Sequence, residues 1–336
     1  MLTYEDFLDV AKSGVETVFP GVTVSVEEVQ KLQGQSYTGL MIRPEGGSMG
    51  VSFNPGKGYE EYREDPKRLA GIMSEILSQL EETLGAMPEK GSDIVRKFME
   101  DYDSVKDHLR ISLVGTERNA DLLETFPHRE VADLSVIYKL VFTNPAGETL
   151  SVNINKAILE EAGISEEQLH RDAVEASAEN CPEEIATMEE KLGIPEMPGM
   201  PAIYVLSNAG QVQGAAAVLY PGVEEKLREK LGGDFYILPS SIHEVLAVRK
   251  DLNSLEDLRH MVKTINQAEV SKADQLSDNV YELSGGKLRI ALTEREKEIE
   301  RNKGKMDMRA VKRIAGSRRS RGRQDQPRGQ NGGKTY

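Results

Sequence analysis

Apolar residues recur along the first hundred positions of the chain in two different periods. Between Thr3 and Pro20 they fall every three to four positions, which predicts an amphipathic helix with a capping box at its start. Three short runs between 22 and 53 alternate apolar and polar residues and predict an antiparallel meander. A regular apolar stripe from Leu69 to Leu84 then predicts a long helix that covers the meander.

The next stretch of chain is rich first in strands and then in helices. Alternation over 109–113 predicts a strand, and two apolar runs around the turn sequence 144–147 predict a hairpin. The acidic stretch 183–192 is interpreted as a short helix. Three prolines within 194–201 then interrupt the pattern, so we place a boundary and an extended linker there.

The third stretch is predicted to combine strands with helices again. Apolar runs over 202–206, 215–220 and 234–238 are interpreted as strands, and a hairpin is expected at 280–292. A helix from Ser254 is predicted between them. Its inward-facing residues are expected to be Leu255, Leu258, Met261, Val262 and Ile265.

These patterns predict an α+β protein in which antiparallel sheets are covered by helices. The expected division is an N-terminal module at 1–105, a hairpin-and-helix module at 106–193, and a C-terminal module at 202–292. A polar helical extension is expected at 293–315, and a basic tail without apolar residues, expected to be disordered, at 316–336.

Charge is distributed unevenly along the chain. The total is −14, but residues 301–336 hold twelve Lys or Arg against two Asp, which gives +10. The first 300 residues then carry 30 basic and 54 acidic side chains, or −24. An acidic body is therefore joined to a basic tail.

Cysteine and hydropathy predict the compartment. There is a single cysteine, Cys181, so no internal disulfide can form, and no apolar stretch reaches the length of a membrane span. The opening residues lack the basic start of a signal peptide. We expect a cytoplasmic protein that makes no membrane contact, with Cys181 as an incidental thiol rather than a nucleophile.

The main candidate site lies between two apolar runs in the stretch 234–250. Its polar residues are Ser240, Ser241, His243 and Glu244. A serine, a histidine and a carboxylate are the residue types of a hydrolase, but His243 and Glu244 point to opposite sides of an extended chain. The other hypotheses are a structural turn, in which the serines satisfy backbone groups, and a pocket for a ligand or peptide.

The remaining histidines and the tail give weaker signals. His108, His128, His170 and His260 have no spacing typical of metal ligands, so we predict neither a metal nor another cofactor. In the tail, arginines alternate with Gly and Ser, which suits loose contact with phosphates through residues 302–336. The candidate arginines are Arg318, Arg319, Arg321, Arg323 and Arg328. A solubilising tail, or one that docks on the acidic body, is the alternative.

Several segments resemble one family. The runs FYILPSSIHEVLAV (235–248), MVKTINQAEV (261–270) and QLSDNVYEL (275–283), with the opening DFLDVAKSGV, resemble domain of unknown function family 5688. This resemblance covers roughly 4–292 and implies uncharacterised bacterial proteins of gut Firmicutes, often encoded near mobile elements. It implies no activity or catalytic residue.

Three functional hypotheses follow from the sequence. The first is an accessory binding protein of a mobile element or its host, which uses its folded body to bind a protein partner. The second is a nucleic-acid-associated factor that acts through its tail. The third is a hydrolase centred on Ser240, Ser241 and His243. We favour the first and a protein without enzymatic activity, because no complete catalytic motif is present.

Overall fold

The protein has an α+β fold with three antiparallel sheets. A computed structural model describes residues 1–45, 50–86, 89–143, 149–195, 199, 201–299 and 301–302. The predicted fold class is therefore confirmed. No helix among these residues combines the length and apolar character that crossing a membrane requires.

The N-terminal module packs three helices on a three-stranded sheet. Its elements are α1 (Tyr4–Val18), β1 (Val22–Lys31), β2 (Gln35–Pro44), β3 (Val51–Phe53), α2 (Gly56–Glu64) and α3 (Leu69–Ala86). Thr3 and Asp6 form the predicted capping box at the start of α1. Alternation in β1 and β2 turns Val24, Leu40 and Ile42 toward α1 and α3, and these residues form a core of their own.

The middle of the chain forms a four-stranded sheet with helices beside it. Its elements are α4 (Glu89–Glu100), β4 (Leu109–Gly115), α5 (Ala120–Leu123), β5 (His128–Val131), β6 (Leu134–Thr143), β7 (Thr149–Asn153), α6 (Lys156–Ala162) and α7 (Glu166–Asn180). The long strand β6 pairs with β4 along one edge, and with β5 and then β7 along the other.

The two faces of this middle sheet differ in character. Leu109, Ile111 and Tyr138 lie on the face that joins the main hydrophobic core, where Tyr138 also reaches His170 of α7. Because side chains alternate along a strand, Arg110 and Lys139 lie on the opposite face, where they are direct cross-strand neighbours. That second face carries the polar residues described below.

The rest of the chain to Ile290 forms a six-stranded sheet with three helices. Its elements are β8 (Glu183–Thr187), α8 (Met188–Leu192), β9 (Tyr204–Asn208), α9 (Val223–Leu231), β10 (Phe235–Pro239), β11 (Val245–Arg249), α10 (Leu255–Ala268), β12 (Tyr281–Ser284) and β13 (Lys287–Ile290). The strand order is β13-β12-β10-β11-β9-β8. Residues of this sheet and of the middle sheet share one hydrophobic core.

Two segments adopt a different structure from the one predicted. Residues 183–187 are a strand, because they pair with β9, and a helix begins only after the capping box of Thr187 and Glu190. The run 215–220 is not a strand: Gly214–Leu219 form a 3-10 helix. Gly214 starts it so close to Ser207 and the His243 carbonyl that a Cβ would clash there.

The buried face of α10 is narrower than predicted. Leu255, Leu258 and Val262 are buried, as expected. Met261 and Ile265, expected to point inward, are 39% and 43% exposed. The apolar stripe is therefore wider than the surface that the helix covers, because a helix packs only one side on its sheet.

The tip of the β1–β2 hairpin joins the N-terminal module to the middle sheet. Gln33 there has a left-handed backbone (φ 66°) and is buried. Its N–H donates to Asn119 Oδ1 at 2.7 Å, and Asn119 Nδ2 donates to Gln33 Oε1 at 3.2 Å. Leu32 packs against Val114 and Ile137. A reciprocal pair of buried amides thus connects two separate cores.

Some predictions fall outside the described residues. They are the turn at 144–147, the linker positions 196–198 and 200, and the tail with Arg318, Arg319, Arg321, Arg323 and Arg328. Residues from 291 onward form a separate unit, in which 294–299 and 301–302 are helical behind a capping box of Thr293 and Glu296. The division of the chain at 194–201 stays a prediction.

Candidate functional site

The predicted polar cluster forms the turn between β10 and β11. The Ser241 N–H donates to the Glu244 carbonyl at 3.2 Å, and the His243 N–H donates to Ser241 Oγ at 3.0 Å. Ser240 Oγ donates to Glu244 Oε1 at 3.4 Å. The four residues therefore lie together, and their hydroxyls and carboxylate bond mainly within the turn.

His243 connects this turn to two neighbouring segments. Its Nδ1 accepts from the Gln213 N–H at 3.1 Å, which leaves the proton of the neutral imidazole on Nε2. Nε2 lies 3.4 Å from Asp274 Oδ1. The His243 carbonyl accepts from Ser207 Oγ at 2.8 Å. Both ring nitrogens thus face groups other than the serines, whereas a hydrolase needs a hydrogen bond between serine and histidine.

Gln213, whose N–H donates to His243, also belongs to a second polar cluster, which was not predicted from the sequence. Its Oε1 accepts a hydrogen bond from the Lys139 ammonium and another from Ser112 Oγ, the latter at 2.8 Å. Lys139 is only 9% exposed, and Arg110 lies beside it on β4. We call Arg110, Ser112, Lys139 and Gln213 the Lys139 site.

Positive charge in the Lys139 site has no bonded carboxylate among the described residues. Burial lowers the pKa of Lys139 to about 8; the neighbouring Cys181 opposes this shift, and Arg110 adds a smaller lowering effect. Burial also lowers the pKa of Arg110, whose guanidinium donates to the backbone carbonyls of Asp107 and Leu109 at 2.8 and 2.7 Å. A buried ammonium bonded to a neutral amide is an unusual arrangement, because buried charges are generally paired.

Cys181 lies next to this site, at the C-terminal end of α7, with Arg110 and Tyr220 as its neighbours. Burial raises the pKa of Tyr220 to about 12, so its hydroxyl stays protonated at neutral pH. Asn208 donates through Nδ2 to the Val212 carbonyl at 3.1 Å, but its buried Oδ1 has no hydrogen-bond partner. An unsatisfied acceptor of this kind calls for an explanation.

Residues 209–213 cover the two clusters and reach solvent. Gln211 and Gln213 have left-handed backbones (φ 51° and 52°), a conformation that costs about 1–3 kcal/mol for a residue other than glycine. Val212 between them is 59% exposed. The segment is held by the bond from Gln213 to His243 and by the bond from the Ala209 N–H to the Pro182 carbonyl at 2.8 Å. The structural role of the 240–244 turn is thus to hold this covering segment.

Two other kinds of site are less well formed than the Lys139 site. Among the described residues, no three His, Cys, Asp or Glu side chains come close enough to hold a metal ion. An open groove of about 380 Å³ lies at Gly233, Asp234 and 249–251. Its cations already have partners, since Arg249 pairs with Asp251 at 2.5 Å and Lys250 with Glu282 at 2.7 Å. The Lys139 site is therefore the stronger candidate.

Comparison with known proteins agrees with the resemblance predicted from the sequence. The Family of unknown function (DUF5688) matches residues 4–284. No curated protein and no solved structure matches the chain. The matched region takes in the Lys139 site and the 240–244 turn, and it spans most of the sequence. The chain belongs to the Family of unknown function (DUF5688).

Proposed function

We propose that the protein binds a small oxyanion, a carboxylate or a phosphate, at the Lys139 site. The observation that carries this proposal is the buried Lys139 ammonium, which is bonded to an amide oxygen and has a second cation, Arg110, beside it. An anion would supply the charge that the site lacks. The proposal keeps the binding role of the favoured hypothesis but replaces its protein partner with a small ligand.

Gln213 is the group that an oxyanion would replace. Its Oε1 accepts from Lys139 and Ser112 together, as one oxygen of a carboxylate or phosphate could. Hydrogen bonds to a charged acceptor are roughly twice as strong as those to a neutral one. This difference favours exchange of the side chain for a ligand.

Access to Lys139 would come through movement of residues 209–213. Four residues of this segment, Ala209 to Val212, are exposed, so the segment can shift without uncovering the main core. Its bond to His243 would act as the hinge point. This gives the 240–244 turn a supporting role and assigns it no chemistry.

Thermal unfolding in the presence of oxyanions tests the proposal. Phosphate, citrate and succinate should each raise the midpoint more than chloride at equal ionic strength, because a ligand that binds only the folded state stabilises it. The Lys139→Met variant should lose this increase. Lys287→Met is the matched control, since Lys287 also lies in a strand but is exposed.

The pH dependence of oxyanion binding provides a second test of the proposal. The oxyanion binds the ammonium form, and the pKa of Lys139 is about 8, so the affinity should fall as the pH rises above that value. The same midpoint increase in Lys139→Met as in the parent would overturn the proposal. So would an increase that persists undiminished at a pH about two units above the pKa.

A further inference from the structure

Cys181 lies where the Lys139 site approaches solvent. It is partly exposed, and its N–H donates to the Ser177 carbonyl at 3.0 Å, which fixes its backbone at the end of α7. As the single cysteine of the chain, it has no internal disulfide partner. Its thiol therefore remains free to react with another molecule.

Arg110 provides a fixed positive charge beside this thiol. Three backbone carbonyls hold its guanidinium: those of Asp107 and Leu109, and that of Ala176 at 3.4 Å. Lys139, its cross-strand neighbour, adds a second cation. A partly exposed sulfur beside cations is the environment in which reactive thiols are found, and anionic reagents are attracted to it.

A second, independent observation concerns Asn208, which lies near the thiol. Asn208 is 8% exposed, and its buried Oδ1 accepts from no donor among the described residues. A Cβ placed on Gly210 would lie 3.6 Å from Asn208 Oδ1 and 3.6 Å from Cys181 Sγ. The unpartnered oxygen and the sulfur therefore face the same point, which glycine leaves open. A donor brought there, such as an amide N–H, would satisfy Asn208.

We infer that Cys181 is a reactive thiol that forms a mixed disulfide with small peptide disulfides carrying carboxylates, recognised through Asn208 and Arg110. The amide N–H of such a reagent fits Asn208 Oδ1, and its carboxylate fits the two cations. The inference rests on the proposed function, because that carboxylate is the oxyanion held by Lys139.

The reaction needs no reagent beyond the disulfide itself. The Cys181 thiol loses its proton to solvent, and the sulfur attacks one sulfur of the reagent. A bond forms between Cys181 Sγ and that sulfur while the original S–S bond breaks. The other half leaves as a thiolate, which takes a proton from water. Arg110 stabilises the negative charge that develops on the leaving group.

Intact-mass measurement of the full-length protein gives the first test. Incubation with glutathione disulfide, which carries amides and carboxylates, should add one glutathione per chain and release one glutathione. The reducing agent dithiothreitol should reverse the addition. Cys181→Ser should show none. Absence of the adduct on the parent protein would overturn the inference.

The charge preference of the thiol gives the second test. Rate constants are measured with an anionic disulfide, dithiobis(nitrobenzoate), and a cationic one, cystamine, each relative to a free cysteine peptide. We expect the anionic-to-cationic ratio to be at least about tenfold higher for the protein, as local cations produce. Arg110→Gln should lower the ratio several-fold. Equal ratios for protein and peptide would contradict recognition by Arg110.

Gly210→Ala tests the point between Asn208 and the sulfur without disturbing the fold. Its Cβ would make only ordinary contacts, at 3.6 Å, but would occupy the space that the ligand amide needs. The rate with glutathione disulfide should fall by about tenfold, as steric loss of one positioned contact produces. Gly71→Ala, whose Cβ meets nothing within 4 Å, is the control. An unchanged rate in Gly210→Ala would refute the role of Asn208.

The two proposals fail in different ways. Thermal unfolding with phosphate or citrate, performed on Cys181→Ser, reports on the oxyanion site alone. An increase there, combined with no adduct on the parent, overturns only the inference about Cys181. An adduct with a strong anionic preference, combined with no midpoint increase in any oxyanion, overturns the proposed function and leaves Arg110 alone as the cation that recognises the carboxylate.

Discussion

The 240–244 turn and the Lys139 site are both polar clusters set among buried strands, but they differ in how their polar groups are satisfied. In the turn, the serines, His243 and Glu244 have partners within the chain. In the Lys139 site, the buried ammonium donates to an amide oxygen, and among the described residues the nearby Asn208 Oδ1 accepts no hydrogen bond. Polar residues that are dense along the sequence thus form a self-contained turn, whereas the buried cation and the unsatisfied acceptor favour the Lys139 site as the place where a ligand binds.

The largest expected effect concerns Lys139 and pH. Its pKa is about 8 in the folded protein against 10.5 as the ordinary value, so between these values the unfolded chain binds more protons and the free energy of unfolding rises with pH. The rise amounts to about 3 kcal/mol. Lys139→Met lacks this pH-dependent rise. The free energy of unfolding of the variant should therefore exceed that of the parent most at pH about 7, and the difference should shrink toward pH about 10.5.

Urea unfolding of both proteins across that pH range measures this difference. Lys287→Met should follow the parent throughout, because Lys287 is exposed. A constant difference between Lys139→Met and the parent would mean that the ammonium is compensated in the folded state, and the comparison with the turn would then lose its basis.

The second largest effect is expected from removing the contact between the 240–244 turn and Gln213. His243→Ala should lower the free energy of unfolding by about 1–3 kcal/mol, because the Gln213 N–H loses its acceptor. His243→Asn is the control, since an amide oxygen can take the position of Nδ1 and should recover much of the loss. Unchanged melting of the alanine variant, together with lost oxyanion binding, would make His243 part of the site rather than a support.

Replacing the Gln213 amide by a carboxylate tests whether a ligand competes with Gln213 for Lys139. Gln213→Glu would supply Lys139 with an internal anion and so convert the site into a satisfied cluster like the turn. Oxyanion affinity should fall at least about tenfold, or 1.4 kcal/mol, and should be measured by calorimetric titration. Gln213→Ala should not weaken binding in this way. Equal affinity of Gln213→Glu and the parent would show that the ligand does not replace Gln213.

A smaller effect is expected from cutting the chain. Three prolines between Ile194 and Ala202 predict accessible chain, so limited proteolysis should nick near Met197 to Met200. The fragments should elute together in size-exclusion chromatography, because β8 and β9 pair across this segment. The turn lies on one side of the cut and the Lys139 site uses both sides. Resistance at 197–200, with cleavage only after Thr293, would show a misplaced boundary.

The smallest expected effect is on nucleic-acid binding by the cations of the tail, as distinct from Lys139 and Arg110. A 302–336 peptide should bind nucleic acid more tightly than the full-length protein, because the −24 of the first 300 residues competes for the +10 of the tail. Both should weaken steeply with salt. Fluorescence anisotropy with a protein ending at Glu300 as control decides this. Equal binding by that shorter protein would remove the tail from any nucleic-acid role.

Much of the fold was predictable because local pattern and burial agree. The alternation over 109–113 and the capping box at Thr3 both hold. Prediction failed where tertiary contacts decide: β8 is a strand that pairs with β9, and the 3-10 helix Gly214–Leu219 begins where Ser207 and the His243 carbonyl leave room only for a glycine. Neither neighbour is visible in the local sequence.

Only the polar residues that are adjacent in the sequence could be predicted as a site. The turn residues stand together in the sequence, so Ser240 to Glu244 were found. Lys139 stands alone in an apolar run, and a lone lysine there was the one signal that could have been followed. Its partners Arg110 and Gln213 come from other strands and loops, and only folding brings them together. Cys181, which we interpreted as an incidental thiol, likewise acquires its neighbours Arg110 and Tyr220 only in the folded protein.

The amide pair at the hairpin tip also has a thermodynamic consequence. If the N-terminal module unfolded alone, the Asn119 amide would lose Gln33 as its partner inside the middle module. Leaving buried amide groups unsatisfied costs about 1–3 kcal/mol. A coupling of that size corresponds to a roughly five- to 150-fold higher equilibrium constant for folding of one core when the other is folded. The amide pair and the packing of Leu32 on Val114 and Ile137 therefore couple the unfolding of two modules that have separate interiors.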